Sequence, residues 1–101
     1  MTKEELISKA KLRVRKMSTN ILDNDVGQLV EVALADLERV GVHKDHLDNI
    51  ENPLLVEAVL LYANANFGSP ENRAALMASY DMMLTKIKGG GFHRSKSSET
   101  N

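Results

Sequence analysis

Apolar residues recur every three or four positions along most of this chain, which is the spacing of amphipathic α-helices. In the N-terminal part they predict two helices, over residues 3–16 and 25–40. Thr2 and Glu5 have the spacing of a capping box at the start of the first helix, and Gly41 is the expected stop of the second. The predicted buried face of the first helix contains Leu6, Ile7, Ala10, Val14 and Met17. The corresponding face of the second contains Val26, Leu29, Val30, Ala33, Leu34, Leu37 and Val40.

The C-terminal half contains a second pair of predicted helices, over residues 53–67 and 70–88. Asn52 and Ser69 are suitable N-cap residues, and each precedes a proline, which is favoured in the first turn of a helix. The polar connector 42–52 has room for one short helical turn. The last helix is expected to bury Leu76, Met77, Tyr80, Met83, Leu84 and Ile87. Together these patterns predict an all-α fold, a small bundle of about four helices.

The helix over residues 53–67 is apolar on nearly all sides, unlike the others. One face carries Leu54, Ala58, Leu61, Tyr62 and Ala65, and the nearly opposite face carries Val56, Leu60 and Phe67. A helix of this kind is buried on most sides. It is therefore either the hub of the fold or a helix that presents its second face to another subunit, and the pattern leaves both interpretations open.

The segment GGGFHRSKSSETN, residues 89–101, has a different composition. Three glycines form a flexible joint, and the remainder is too polar to build a core. We therefore predict a helical domain over 1–88 and a flexible tail over 89–101. Aromatic residues and arginines are common anchors at protein interfaces, so the candidate docking residues of the tail are Phe92, His93, Arg94 and Lys96. The alternative is a terminal segment with no contact role.

Charge is unevenly distributed along the chain, although the net charge is only −1. Residues 1–18 hold six Lys and Arg against two Glu, whereas residues 19–71 hold two basic residues against ten acidic ones. Residues 72–101 are basic again. Leu12 points away from the predicted core, beside the basic stripe of Lys9 and Arg13. We therefore predict a subunit interface comprising Lys9, Leu12, Arg13, Val56, Leu60 and Phe67, with ordinary solvated helix faces as the alternative.

The chemistry that defines most enzyme sites is not found in the sequence. The chain has no cysteine, no G-x-S-x-G or H-E-x-x-H motif, and its three consecutive glycines follow a helix and so do not form a phosphate loop. His43 and His46 have the spacing of a metal-binding pair, but no third ligand is evident. We expect a protein that is not an enzyme and that has no cofactor, no bound metal and no membrane span or signal peptide.

Nucleic-acid binding is the alternative that the basic run over residues 9–16 keeps open. The run, KAKLRVRK, lacks the aromatic residues on which single-stranded bases stack. The predicted loop after the first helix is also too long for a helix-turn-helix. The alternative function is thus a small DNA-binding or regulatory protein that contacts phosphates through the first helix.

Two segments of the chain resemble a known family: NPLLVEAVLLYANANFG, residues 52–68, and RAALMASYDMML, residues 73–84. They resemble the small head–tail connector proteins of tailed bacteriophages, also called head-completion or adaptor proteins. The matching positions are Pro53, Tyr62, Phe67, Gly68, Ser79, Tyr80 and Asp81. The segment ALADLERVGV, residues 33–42, is similar to the second helix of that family. The resemblance covers about residues 3–88 and excludes the tail.

The resemblance implies an all-helical structural protein of the virion, made in the bacterial cytoplasm and located at the head–tail interface. Its implied partners are the portal protein, neighbouring copies in a ring, and a head-closure or tail protein. Genomic DNA would pass through the ring without sequence-specific binding, and the tail would bind the portal. A head-closure stopper or tail-completion factor ranks below this role, because stoppers are more often β-rich and no convincing strand is predicted.

Overall fold

The computed structural model describes residues 1–15, 23–67 and 71–94, and within these ranges the regular structure is entirely helical. Its helices are α1 (Lys3–Arg15), α2 (Asp23–Arg39), α3 (Lys44–Asp48), α4 (Pro53–Asn66) and α5 (Arg73–Lys88). The predicted all-α class is confirmed. Helices α1, α2, α4 and α5 correspond to the four predicted helices, and α3 is the short turn allowed for in the connector.

Three of the predicted helix ends are confirmed by their hydrogen bonds. The backbone N–H of Thr2 donates to Glu5 Oε1 and the N–H of Glu5 donates to Thr2 Oγ1, both at 3.2 Å, as a capping box requires. Asn52 Oδ1 accepts from the N–H of Leu54 at the start of α4. At the end of α2, Gly41 has φ +109°, and Val42 N–H reaches back to the Leu37 carbonyl in a Schellman motif.

Helix α5 begins later than the sequence predicted. It starts at Arg73 instead of Pro70, and the carbonyl of Asn72 accepts the first helical hydrogen bond, from Leu76 N–H. The predicted cap Ser69 and the following Pro70 lie outside the described residues, as does Met17 of the first predicted helix. Asn72, three residues after Ser69, occupies the N-cap position of α5 and makes no side-chain capping hydrogen bond. Asn and Ser are both favoured at N-caps, so residue preference alone does not choose between the two positions.

Helix α4 is the hub of the fold, because α1, α2 and α5 all pack against it. Its buried side chains are Leu55, Ala58, Val59, Leu60, Ala63 and Ala65. The row formed by Leu55, Val59 and Ala63 was absent from both predicted faces. When nearly every position of a helix is apolar, its periodicity no longer indicates which side faces which neighbour.

The amphipathic helices follow the predicted faces closely. On α1, Leu6, Ala10 and Val14 are at most 1% exposed. The other buried positions of the flanking helices are Val26, Val30, Ala33 and Leu37 on α2 and Tyr80, Leu84 and Ile87 on α5. The core is therefore a layer of α1, α2 and α5 side chains around α4, and the opposite faces of those three helices remain available for function.

Candidate functional site

Helix α1 presents two of the predicted interface residues to solvent and uses a third internally. Leu12 is 61% exposed and Lys9 is also exposed. Arg13 instead forms a bidentate pair with Glu57 of α4, with Nη1–Oε1 and Nη2–Oε2 distances of 2.6 and 3.0 Å. Forked pairs of this kind fix direction as well as contributing energy. Arg13 therefore attaches α1 to the hub.

The predicted interface residues of the α4 region lie on the fold's own core. Leu60 is 5% exposed, so its assignment to an intermolecular face is corrected: a side chain already covered within one chain offers no surface to another copy. Val56 and Phe67 are half-buried and pack against the same core cluster. Only the parts of these two side chains that face solvent remain for a neighbour.

The first six residues of the predicted tail lie against the connector between α2 and α4. Phe92 packs on the core, its carbonyl accepts from the N–H of His43 at 2.8 Å, and its ring meets His46 edge-on at 5.4 Å. Residues 89–94 are called the C-terminal strap below. His93 and Arg94 are exposed on it, whereas Lys96 lies outside the described residues. The proposed boundary between domain and tail after Lys88 remains a prediction, and residues 89–94 show contacts with the body that the sequence did not predict.

Glycines in the strap make its fold possible. Gly91 has φ +82°, a left-handed conformation that side chains disfavour. A Cβ on Gly90 would lie only 2.8 Å from Phe92 Cε2. The glycine run that predicted flexibility is thus also what allows the strap to turn back and place Phe92 on the body.

The two histidines considered as metal ligands have other partners in this structure. His43 Nδ1 accepts from the backbone N–H of Asp45 and caps α3. His46 Nε2 lies 2.7 Å from the carbonyl oxygen of Arg94. Because a carbonyl oxygen only accepts, Nε2 carries a hydrogen and donates a hydrogen bond to the strap. Within residues 1–15, 23–67 and 71–94, no three His, Cys, Asp or Glu side chains are grouped as a metal site would require.

A hydrogen-bonded cluster joins α2 to α5. The Tyr80 hydroxyl donates to Asp36 Oδ2 at 2.6 Å, and Arg39 pairs with Asp36 Oδ1 at 2.8 Å. Burial and then the bond to Asp36 raise the pKa of the Tyr80 phenol, which therefore remains a proton donor. Burial works to raise the pKa of the Asp36 carboxyl, but the hydrogen bonds from Tyr80 and Arg39 outweigh it and the pKa falls below its ordinary value.

This cluster was missed because Asp36 lies outside the apolar face of α2. The available signal was Tyr80 itself, since a buried tyrosine requires a partner for its hydroxyl. With the phenol held protonated and the carboxylate held ionised, neither group is suited to exchange protons near neutral pH. The role of the hydrogen-bonded cluster is therefore to attach α2 to α5.

Two open depressions adjoin Val32, which is 44% exposed on α2. The first, called the α2–α4 recess, has a volume of about 330 Å³ and is lined by Asp25, Gln28, Leu29, Val32, Asn66 and Phe67. The second has a volume of about 400 Å³ and lies between α2 and α5, where it includes Arg39 and the Asp36–Tyr80 cluster. Both depressions have mixed linings, and the α2–α4 recess is lined by three apolar residues, Leu29, Val32 and Phe67, and by three polar ones. A protruding group that entered the recess would therefore contact apolar and polar side chains together.

Comparison of the chain with protein-family models, with curated proteins and with solved structures finds no match. The family resemblance therefore depends on the sequence motifs alone. None of the described helices combines the length and the apolar content that crossing a membrane requires.

Proposed function

We propose that this chain is a structural protein of a tailed-bacteriophage virion, a head-completion adaptor that assembles as a ring on the portal. In this role it extends the DNA channel and provides a docking surface for the next connector or for the tail. Its partners are the portal protein, identical neighbours and a head-closure or tail protein. It works by binding and scaffolding, without catalysis, and the DNA passes through the ring.

The observation that carries the proposal is the packing of the residues on which the resemblance depends. Pro53 starts α4 and Phe67 caps its end, and the Tyr62 and Tyr80 rings meet at a centroid distance of 5.2 Å between α4 and α5. Four of the family-like positions, Pro53, Tyr62, Phe67 and Tyr80, therefore belong to one helix pair, whereas Ser79 and Asp81 are exposed on α5 and Gly68 lies outside the described residues. This agreement supports a shared fold, and through it the shared role.

The surface chemistry supports assembly more than it supports DNA binding. Of the basic residues on α1, Arg13 is paired with Glu57, and Lys3 lies 2.9 Å from Glu31. Both pairs lower the positive charge available to phosphates. If the DNA-binding alternative is correct, the chain should bind duplex DNA at low salt, and the affinity should fall steeply as salt rises. Absence of binding at low salt would exclude that alternative.

The decisive experiment is electron microscopy of the chain mixed with the portal protein from the same viral genome. We expect a ring of additional density at one end of the portal. Size-exclusion chromatography with light scattering should find the isolated chain mainly as a monomer. An unchanged portal after mixing would refute the proposal, and a stable large ring without the portal would refute the expectation of assembly on the portal.

Two truncations separate the contributions of the tail. Removing residues 95–101 leaves the C-terminal strap in place, whereas removing residues 89–101 also removes its contacts with His43 and His46. We expect both variants to keep their helical circular dichroism and both to bind the portal more weakly. Portal binding as strong as that of the full chain would show that the tail is not a docking element.

A further inference from the structure

We infer that copies of this chain bind head to side, with Leu12 on α1 of one copy inserted into the α2–α4 recess of the next. The inference rests on the proposed function, since it identifies the contact by which neighbouring copies in a ring would bind. The interface predicted from sequence included Leu60, which is buried. The inferred contact instead uses two surfaces that are accessible in the folded chain, Leu12 on α1 and the α2–α4 recess.

Leu12 is an apolar group without an internal role. Among residues 1–15, 23–67 and 71–94, three large hydrophobic side chains are exposed: Leu12 at 61%, Val32 at 44% and Met82 at 65%. Leu12 lies about 200° around α1 from the buried Ala10 and so projects outward from the bundle. The Arg13–Glu57 pair, one position further along the helix, holds α1 in this orientation.

The surroundings of Leu12 and Val32 carry opposite charges. Lys9 is exposed beside Leu12 on α1, whereas Arg13 is already paired with Glu57. Next to Val32, the α2–α4 recess is lined by the exposed acidic residue Asp25, and Asp36 on the other side of Val32 is already paired with Arg39. Complementary charges of this kind guide two surfaces together and disfavour pairing of like surfaces. The basic α1 surface of one copy therefore favours the acidic α2 surface of another.

The α2–α4 recess suits Leu12 better than the neighbouring depression does. Leu29 and Phe67 are apolar residues of its lining, and Asp25, which also lines it, is exposed and acidic. The depression on the α5 side has a mixed lining of Arg39, Asp36 and Asp81, and Arg39 is paired with Asp36, whereas the charged residue that lines the recess is acidic. Both depressions border Val32, so a side chain at position 32 reports contact with this whole surface.

The geometry makes this contact heterologous, because Leu12 and the recess belong to different parts of the surface. A dimer held by this contact still has one free Leu12 and one free recess, so further copies can bind at both ends. It closes into a ring when the rotation between neighbours permits, and otherwise forms an open filament.

The absence of cysteine from the chain allows a direct cross-linking test. The probe is placed at the exposed Ser8, one turn before Leu12 on the same side of α1, so that Leu12 itself is kept. Ser8→Cys and Val32→Cys variants, one carrying a mass tag, are mixed at high concentration and treated with a short bismaleimide. We expect the mixed dimer to form in several-fold higher yield than in the matched mixture of Ser8→Cys with Met82→Cys, in which position 82 is on α5 and is more exposed, at 65% against 44% for Val32. The double variant Ser8→Cys/Val32→Cys should form a ladder of oligomers. Equal yields from the two mixtures would overturn the inference.

A charge exchange tests the arrangement in more detail. Lys9→Glu in the Ser8→Cys copy, which keeps Leu12, should lower the yield about fivefold, the size expected for a charge pair near the rim of an interface. Asp25→Lys in the Val32→Cys copy should restore it. All four positions are exposed, so circular dichroism should be unchanged. If Asp25→Lys gives no recovery, the predicted orientation of α1 over the recess is wrong.

The same cysteine pairs distinguish this inference from the proposed function. Specific cross-links between positions 8 and 32 in the free chain, without a ring on the portal, would support the contact and refute the adaptor role. A ring on the portal in which positions 8 and 32 cross-link no better than positions 8 and 82 would refute the contact and leave the adaptor role intact.

Discussion

Replacing Tyr80 with phenylalanine is the sharpest test of how α2 and α5 are held together. The change removes one hydroxyl, which donates to Asp36 Oδ2 at 2.6 Å, and leaves the buried ring in place. A hydrogen bond to a charged group contributes about 1.5–3 kcal/mol. Because Asp36 keeps its bond from Arg39 at 2.8 Å, we expect the lower end of that range. The free energy of unfolding should fall by about 1.5–2 kcal/mol, which in a domain of this size lowers Tm by roughly 10 °C.

The pH dependence of stability provides a second readout with a defined sign. The folded-state pKa of Asp36 lies below its ordinary value, so its contribution is present above about pH 4 and is lost as pH falls through the lowered pKa. Without the Tyr80 hydroxyl that pKa moves back up, so the variant should lose less stability on acidification. The pKa of Tyr80 is raised, and it affects stability at alkaline pH. Its contribution to the free energy of unfolding is fully present below about pH 10 and is lost as pH rises towards the raised pKa.

The assay is urea unfolding followed by circular dichroism, at neutral pH and in acid, with Tyr62→Phe as the matched control. Tyr62 packs against Tyr80, but its hydroxyl makes no hydrogen bond to the described residues, so we expect a change within about 0.5 kcal/mol. The reasoning would be refuted if Tyr80→Phe were as stable as the parent chain. An equal loss in both variants would show that ring packing, and not the bond to Asp36, joins the two helices.

Three further substitutions test the core, the α2 turn and the strap by the same unfolding assay. Leu60→Ala should cost about 2–4 kcal/mol because Leu60 is buried, whereas Leu12→Ala should change stability by less than about 0.5 kcal/mol; similar values would contradict the correction made to the predicted interface. Gly41→Ala should cost about 1–2 kcal/mol, since Gly41 has φ +109°, and an unchanged midpoint would argue against the Schellman turn. Phe92→Ala should cost about 1–2 kcal/mol, less than a fully buried aromatic, with the exposed His93→Ala as control; no difference between them would mean that the strap adds nothing to stability.

The amphipathic helices were predictable because their patterns have a clear phase. On α1 and α2 the alternation of apolar and polar residues identifies the buried side without reference to any neighbour, and Leu6 and Val30 are buried as expected. Local capping chemistry was predictable for the same reason, since the Thr2–Glu5 box and the Gly41 stop depend on residues a few positions apart.

The orientation of α4 and the course of the strap depend on contacts between distant parts of the chain. A helix as apolar as α4 gives no preferred direction, so Leu55 could not be distinguished from Leu54 before α1, α2 and α5 were in place. Likewise, three glycines indicate freedom of the backbone, but they do not indicate that Phe92 packs against His46, 46 positions earlier in the chain.

The same limit applies to charge, and it bears on the function that we propose. A count of charges along the sequence treats Arg13 and Lys9 alike. In the folded chain, however, Arg13 forms an ion pair with Glu57, whereas Lys9 is exposed. Among the described side chains of the run over residues 9–16, Arg13 is therefore not free for another partner, whereas Lys9 is exposed beside Leu12. A small charged rim around one apolar side chain is the anatomy of a protein–protein contact. This is the physical reason for preferring assembly with identical neighbours over DNA as the role of α1.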